Sequence, residues 1–129
     1  MEREIIFRAK AVNTEMWAYG DLVHNQKVTK EGLEPRTMVG GYEVYKDTVG
    51  QFTGLKDKNG KNIYEGDILR TYLGRNYWIV VFRNVAFMFD CFDEKHYYYF
   101  MTYAEDDSGI INLPIIGNIY DNPELLKGE

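Results

Sequence analysis

Lys58-Asn59-Gly60-Lys61 lies between two apolar flanks, Leu55 on one side and Ile63 with Tyr64 on the other. Asn tolerates positive φ and Gly adopts it freely, so the pair predicts a type I′ turn at the tip of a β-hairpin. Glu65-Gly66-Asp67 follows as a tight corner and leads into Ile68-Leu69-Arg70-Thr71-Tyr72, a β-branched and aromatic run. Residues 49–69 therefore read as hairpin, corner, new strand, and the rest of the chain is placed around them.

Upstream, Glu4 to Ala9 predicts a first strand and Met16 to Val23 a second, with Gly20 marking a bulge or a close backbone approach. Residues 25–41 are polar, carry Gly32, Pro35, Gly40 and Gly41, and show no sustained period. They read as an irregular excursion with one short strand around Met38-Val39, and a loop of that length is often an interface element. Glu43-Val44-Tyr45 reads as a short strand. Downstream, Tyr77-Trp78-Ile79-Val80-Val81-Phe82 and Val85 to Phe92 are almost wholly apolar, as in strands buried on both faces. His96 to Tyr103 favours a strand, with helix as the alternative. Glu105 to Gly109 is an acidic loop, Ile110 to Leu113 and Ile115 to Tyr120 are the last strands, and Asn122 caps a helical turn begun by Pro123.

About eight to ten short strands at this spacing suit a small barrel or sandwich. The expected fold is mainly β. A small SH3-like or partly open barrel runs from about residue 56, an N-terminal β subdomain over 1–55 packs on it, and one short helical turn closes the chain. Aromatic residues make up 16% of the sequence, which favours strands and broad contact surfaces over helix bundles. Cys91 is the one cysteine, so no disulfide forms within the chain, and His24 and His96 complete no zinc spacing. Met1-Glu2-Arg3-Glu4 lacks the basic and apolar regions of a signal peptide, and no apolar run reaches membrane-spanning length. The expected location is the bacterial cytoplasm.

Three blocks of this sequence resemble the YopX family, small proteins of bacteriophages and prophages. Arg3 to Arg8 with Trp17-x-Tyr19-Gly20 is similar to the family's opening. Gly54, Leu55, Asp57, Asn59, Gly60, Ile63, Tyr64, Glu65, Gly66 and Asp67 carry its central signature. Ile116 to Leu126, with Gly117, Asn118, Tyr120, Asn122 and Pro123, is similar to its closing motif. The blocks keep the family's order over nearly the whole chain, which implies one YopX-like domain over 1–129. The resemblance brings no biochemical activity with it.

The residues themselves argue against chemistry. Asp57-x-Asn59-Gly60 departs from a calcium loop, which needs glycine at position six and glutamate at twelve; here Gly60 is fourth and Ile68 twelfth. Gly50, Gly54 and Gly60 suit successive turns, because no lysine-serine or lysine-threonine pair closes a Walker pattern. Glu65 and Asp67 could form an acid/base pair, but Asp67 beside Gly66 can equally accept backbone N–H bonds and fix the corner. Cys91 sits in an apolar strand, without the electropositive setting of a nucleophile. No catalytic, cofactor or metal residue is assigned.

Tyr77, Trp78, Phe87, Phe89 and Tyr98 admit two readings, a subunit interface or a surface for stacking bases. A net charge of −5 favours the first, because phosphate neutralisation needs cations. The expectation is a homo-oligomeric module that binds a protein partner. The alternative is an ancillary nucleic-acid binder on an SH3-like barrel.

Overall fold

Two separate cores organise the chain, one within residues up to Phe52 and one from Thr53 onward. The computed structural model describes residues 4–71, 77–83, 85–91, 98–101 and 105–126.

In the first unit, β1 (Phe7–Lys10) pairs antiparallel with β2 (Trp17–Gly20). On its other side β1 pairs with the first residues of β6 (Gly50–Lys56). β3 (Leu22–Thr29), β4 (Gly32–Val39) and β5 (Tyr42–Val44) form a second antiparallel sheet in that order. The core is small: Ala9, Ala18, Val39 and Val44, with Phe7, Leu22 and Val49 packed against them. Ala9 stands opposite Ala18 in the β1–β2 register, which leaves room above that pair for the larger valines.

One close approach fixes the corner between β2 and β3. Gly40 has φ +60, and a Cβ there would lie 2.2 Å from the Tyr19 carbonyl oxygen. Its N–H donates to the Asp21 carbonyl at 3.1 Å, so the β4–β5 turn lies directly on the β2–β3 corner. The expected second strand over 16–23 is therefore two strands, broken at Asp21. The irregular excursion expected over 25–41 is instead a hairpin of two eight-residue strands. From Val23 to Arg36, around the tip, its residues are mostly exposed on both faces, so the buried/exposed alternation that reveals a strand in sequence is missing there.

In the second unit the last residues of β6 lead through the Asp57–Lys61 turn into β7 (Asn62–Tyr64), and β8 (Asp67–Arg70) follows the corner. β9 (Tyr77–Arg83), β10 (Ala86–Asp90), β11 (Tyr98–Phe100) and β12 (Ile115–Asn118) complete an antiparallel sheet in the order β11-β10-β9-β8-β12. Ile63, Leu69, Val80, Phe89, Met101 and Ile111 make its core, with Trp78 tilted on Phe89 at 5.0 Å between ring centroids.

The fold is thus mainly β, built of several antiparallel sheets. Among the described residues none closes into a barrel: β11 and β12 end the five-strand order without pairing. A register shift between Ile115 and Gly117 bends β12 where it meets β8.

Other expectations shift by small amounts. The strand expected at 85–92 starts one residue later, because Val85 belongs to the turn with φ +65. Of the 96–103 stretch, 98–100 is strand, while 96–97 and 102–103 lie outside the described residues. Ile110 and Ile111 make only isolated bridges, to Lys56 and Glu105, and form no strand. The Asp106 carboxylate takes the N–H groups of Ser108 and Ile110 and holds that segment as a turn. Pro123–Leu126 is a 3₁₀ turn.

Three substitutions test these backbone assignments. Gly40→Ala drives a methyl group into a backbone carbonyl and is expected to cost about 2–3 kcal/mol in denaturant unfolding. Gly41→Ala, with open space around it, meets only its own backbone preference and costs about 1 kcal/mol. Val85→Gly removes a β-branched residue from left-handed backbone at a 90% exposed site and is expected to stabilise by about 0.5–1 kcal/mol.

Candidate functional site

The central and closing motifs, distant in sequence, meet in the second unit through side chains that bind backbone. Asp57 is fully buried at 0% exposure. Its Oδ1 accepts the N–H groups of Asn59 at 2.9 Å and Lys61 at 2.8 Å, and its Oδ2 accepts that of Ile115 at 2.9 Å. One carboxylate therefore shapes the turn and anchors the start of β12. This side chain also decides the turn type. Gly60 donates to the Asp57 carbonyl at 3.0 Å, and Asp57 donates to the Lys61 carbonyl at 2.8 Å. Gly60 takes φ +84, while Asn59 is not among the residues with positive φ. The loop has three residues and a glycine bulge, instead of the two-residue type I′ turn expected from Asn59-Gly60. The turn thus holds a buried carboxylate at its base.

Asp67 repeats the device at the corner. Its Oδ2 accepts the Tyr64 N–H at 2.7 Å, while Gly66 at φ +95 donates to the Val80 carbonyl and accepts from Ile119 N–H at 2.9 Å. Asp67 stands opposite Asn118 in the β8–β12 register. Asn118 Oδ1 in turn accepts the N–H groups of Tyr120 and Asp121. Asn122 does not cap the final turn with its side chain; its Oδ1 accepts the Asn118 N–H at 3.2 Å. A Cβ on Gly117 would lie 2.5 Å from that oxygen, so glycine there makes room for the bond. Glu65 is half-buried at the same corner, Ile63 and Tyr64 are buried, and Leu55 packs on the core. Gly54 bends β6 at φ +89. Of the closing motif, Tyr120 is half-buried and Pro123 exposed.

These side chains do the work of folding. Among the described residues no group of three or more His, Cys, Asp or Glu is placed to hold a metal ion. Cys91 is buried at the end of β10, His24 Nδ1 lies 3.5 Å from Thr37 Oγ1 in the first unit, and His96 lies outside the described residues.

The aromatic positions expected at an interface are also accounted for within the second unit. Phe89 is fully buried, Trp78 stacks on it, and Phe87 packs on the same core with Phe82 edge-on at 5.1 Å. Tyr77 lies 5.7 Å from the Arg70 guanidinium and Tyr98 lies 4.4 Å from that of Arg83. On the opposite face of this sheet Ile79 and Met88 are 7% and 5% exposed in the single chain. Phe100, opposite Met88 in the β10–β11 register, is 40% exposed.

Besides Phe82, Val85 and Phe100 of the second unit, exposed apolar side chains lie on the β3–β4 ribbon of the first unit. β5 pairs only with Thr37, Met38 and Val39, so the outer part of the ribbon is two strands wide. One of its faces carries the cross-strand pairs Gln26–Pro35 and Val28–Leu33. Val28 is 83% exposed and Leu33 64%. The other face is polar and internally bonded: Arg36 Nε donates to Asn25 Oδ1 at 2.7 Å, and Lys27 Nζ reaches both carboxylate oxygens of Glu43 at 3.1 and 3.2 Å. The available sequence signal was Thr29-Lys30-Glu31-Gly32, turn residues flanked by Val28 and Leu33.

A second cluster, in which Arg8 is buried, Lys10 and Trp17 half-buried and Tyr19 exposed, combines charge and rings. Arg8 and Lys10 on β1 stack on Trp17 of β2, at 4.5 and 5.0 Å from the ring centroid, and Tyr19 stands opposite Arg8.

Asp57→Asn puts an amide N–H₂ against backbone donors in a closed site and is expected to lower stability by about 2–3 kcal/mol, read as a fall in the denaturant midpoint. Asn59→Ala, which leaves the backbone bonds in place, is expected to shift it by less than about 0.5 kcal/mol.

A solved structure, that of protein EF1440 from Enterococcus faecalis, resembles this chain with a TM-score of 0.56 at 24% identity, covering 98% of this chain and 100% of that one. It shows a shared fold. No curated protein matches. No helix among the described residues is long and apolar enough to cross a membrane. The family profile described as YopX protein matches residues 6–127, nearly the full length and all three sequence blocks. The chain belongs to the YopX family.

Proposed function

We propose that this protein acts by docking and not by chemistry: a phage or prophage accessory protein of the host cytoplasm, a self-associating β module that binds a protein partner. The observation that carries this reading is the Val28–Leu33 pair, two large apolar side chains left in water on one face of an ordered ribbon. Covering such side chains releases roughly 1.5–3 kcal/mol each when burial is complete, so a partner that seats on them gains affinity. A two-stranded ribbon alone is marginally stable in water, and a partner strand or surface would also firm it. The two units are read as one YopX-like domain, the second of them as a partly open SH3-like barrel. That last reading is supported by a four-strand meander, β8 to β11, whose fifth strand β12 returns to pair with the first.

A second reading, ancillary nucleic-acid binding, is favoured by one observation: half-buried Lys10 over the Trp17 ring beside the exposed Tyr19, with the buried Arg8 against the same ring. Bases stack on such aromatic and cationic surfaces. Against it stands the net charge of −5, which opposes phosphate.

Light scattering coupled to size exclusion is expected to report a multiple of 15.1 kDa at micromolar concentration, and a strict monomer would overturn self-association. Fluorescence anisotropy with labelled single-stranded and duplex DNA is expected to stay flat at physiological salt. Tight binding that disappears in Trp17→Ala would establish the second reading instead.

A further inference from the structure

The long edge of the ribbon is left open by the way its side chains are arranged. β3 ends the order β3-β4-β5, and among the described residues it pairs with β4 alone. Proteins commonly guard such an edge with proline or with charges that stand out from it. β4 has that guard on its outer edge: Pro35 stands opposite Gln26, and the stretch around it also carries Glu34 and Arg36. β3 has neither glycine nor proline, and its polar side chains lean inward. Lys27 stretches across β4 to Glu43 on β5, Asn25 Oδ1 takes the Arg36 Nε–H, and His24 turns to Thr37.

Backbone phase can be read from Pro35. Proline has no N–H, so the Gln26–Pro35 pair cannot exchange two hydrogen bonds and is a wide pair of the ladder. By alternation His24, Gln26 and Val28 turn their N–H and C=O groups away from β4, toward the open side.

We infer that this edge is the seam of a homodimer, in which β3 of one copy pairs antiparallel with β3 of another about a twofold axis at Asn25. The inference rests on the self-association proposed above. In this register the outward groups of His24 meet those of the partner's Gln26, and Val28 stands opposite the partner's Leu22. Asn25 faces the partner's Asn25, and Val23 faces the partner's Lys27. Apolar meets apolar on the face that carries Val28, amides meet polar groups, and no like charges oppose one another. The exposed Val28 gains cover on the face where Leu33 already flanks it. A single strand pair is small beside the roughly 1,600 Å² of a standard interface, so the dimer is a weak, micromolar one. Its two three-stranded sheets become one six-stranded sheet.

Cysteine cross-linking traps weak dimers and reads the register. At a wide antiparallel pair the Cα atoms are about 4.5 Å apart, within the range a disulfide spans. Under mild oxidation Asn25→Cys is expected to run as a disulfide-linked dimer. Val28→Cys, whose partner in the seam is Leu22, and the wild type, whose one cysteine is the buried Cys91, are expected to stay largely monomeric on the same gel. In light scattering, His24→Lys with Gln26→Lys places four like charges along the seam and is expected to leave a folded monomer, with circular dichroism and melting temperature close to wild type. A wild-type monomer at micromolar concentration would overturn both self-association and the seam. A wild-type dimer that survives the lysine pair, with Asn25→Cys failing to cross-link, would overturn the seam alone and leave self-association to another surface.

Discussion

The carboxylate of Asp57 ties together residues 58 positions apart in the chain. It is withdrawn from water, and each of its oxygens has at least one backbone N–H as donor. A buried charge is tolerated only when hydrogen bonds replace its lost hydration, and here the replacement is what fixes the structure. The β6–β7 turn and the start of β12 share one acceptor, so neither takes its native form without the other. Asp67 and Asn118 extend this arrangement along the β8–β12 pair, where Gly66 bonds to both Val80 and Ile119. Residues of the central and closing blocks of the family signature are thus the ones that close the second unit.

How much of this was legible in the sequence depends on the range of the physics involved. The hairpin around Gly60 and the corner at Gly66 were visible because turn chemistry is local. The turn type was not, because Asp57 reaches into the loop and also to Ile115, a bond no local pattern encodes. The apolar runs of β9 and β10 read correctly as strands; at their centres Ile79, Val80, Met88 and Phe89 are buried, while Phe82 at the outer end is 50% exposed. β3 and β4 were missed because strand recognition relies on one buried face. Only the inner pairs of that hairpin, such as Leu22 and Val39, reach the first core.

That same contrast separates folding from docking. In the second unit the polar signature groups bind backbone and the aromatic side chains pack on one another or beside arginines. In the first unit a small core of alanines and valines supports a ribbon whose outer half buries little. Structure that persists without its own core usually finds cover in a partner, and the ribbon offers both an apolar pair and an open backbone edge.

The dependence on Asp57 is tested most directly by amide hydrogen exchange in the wild-type protein. Only opening of the structure exposes an amide that donates to a buried carboxylate. The Ile115, Asn59 and Lys61 amides are predicted to exchange together, in the slow class set by the strands of the second core. Free exchange at Ile115 while the β9 and β10 amides stay protected would contradict the account, because the two motifs would then be held together by something other than this side chain.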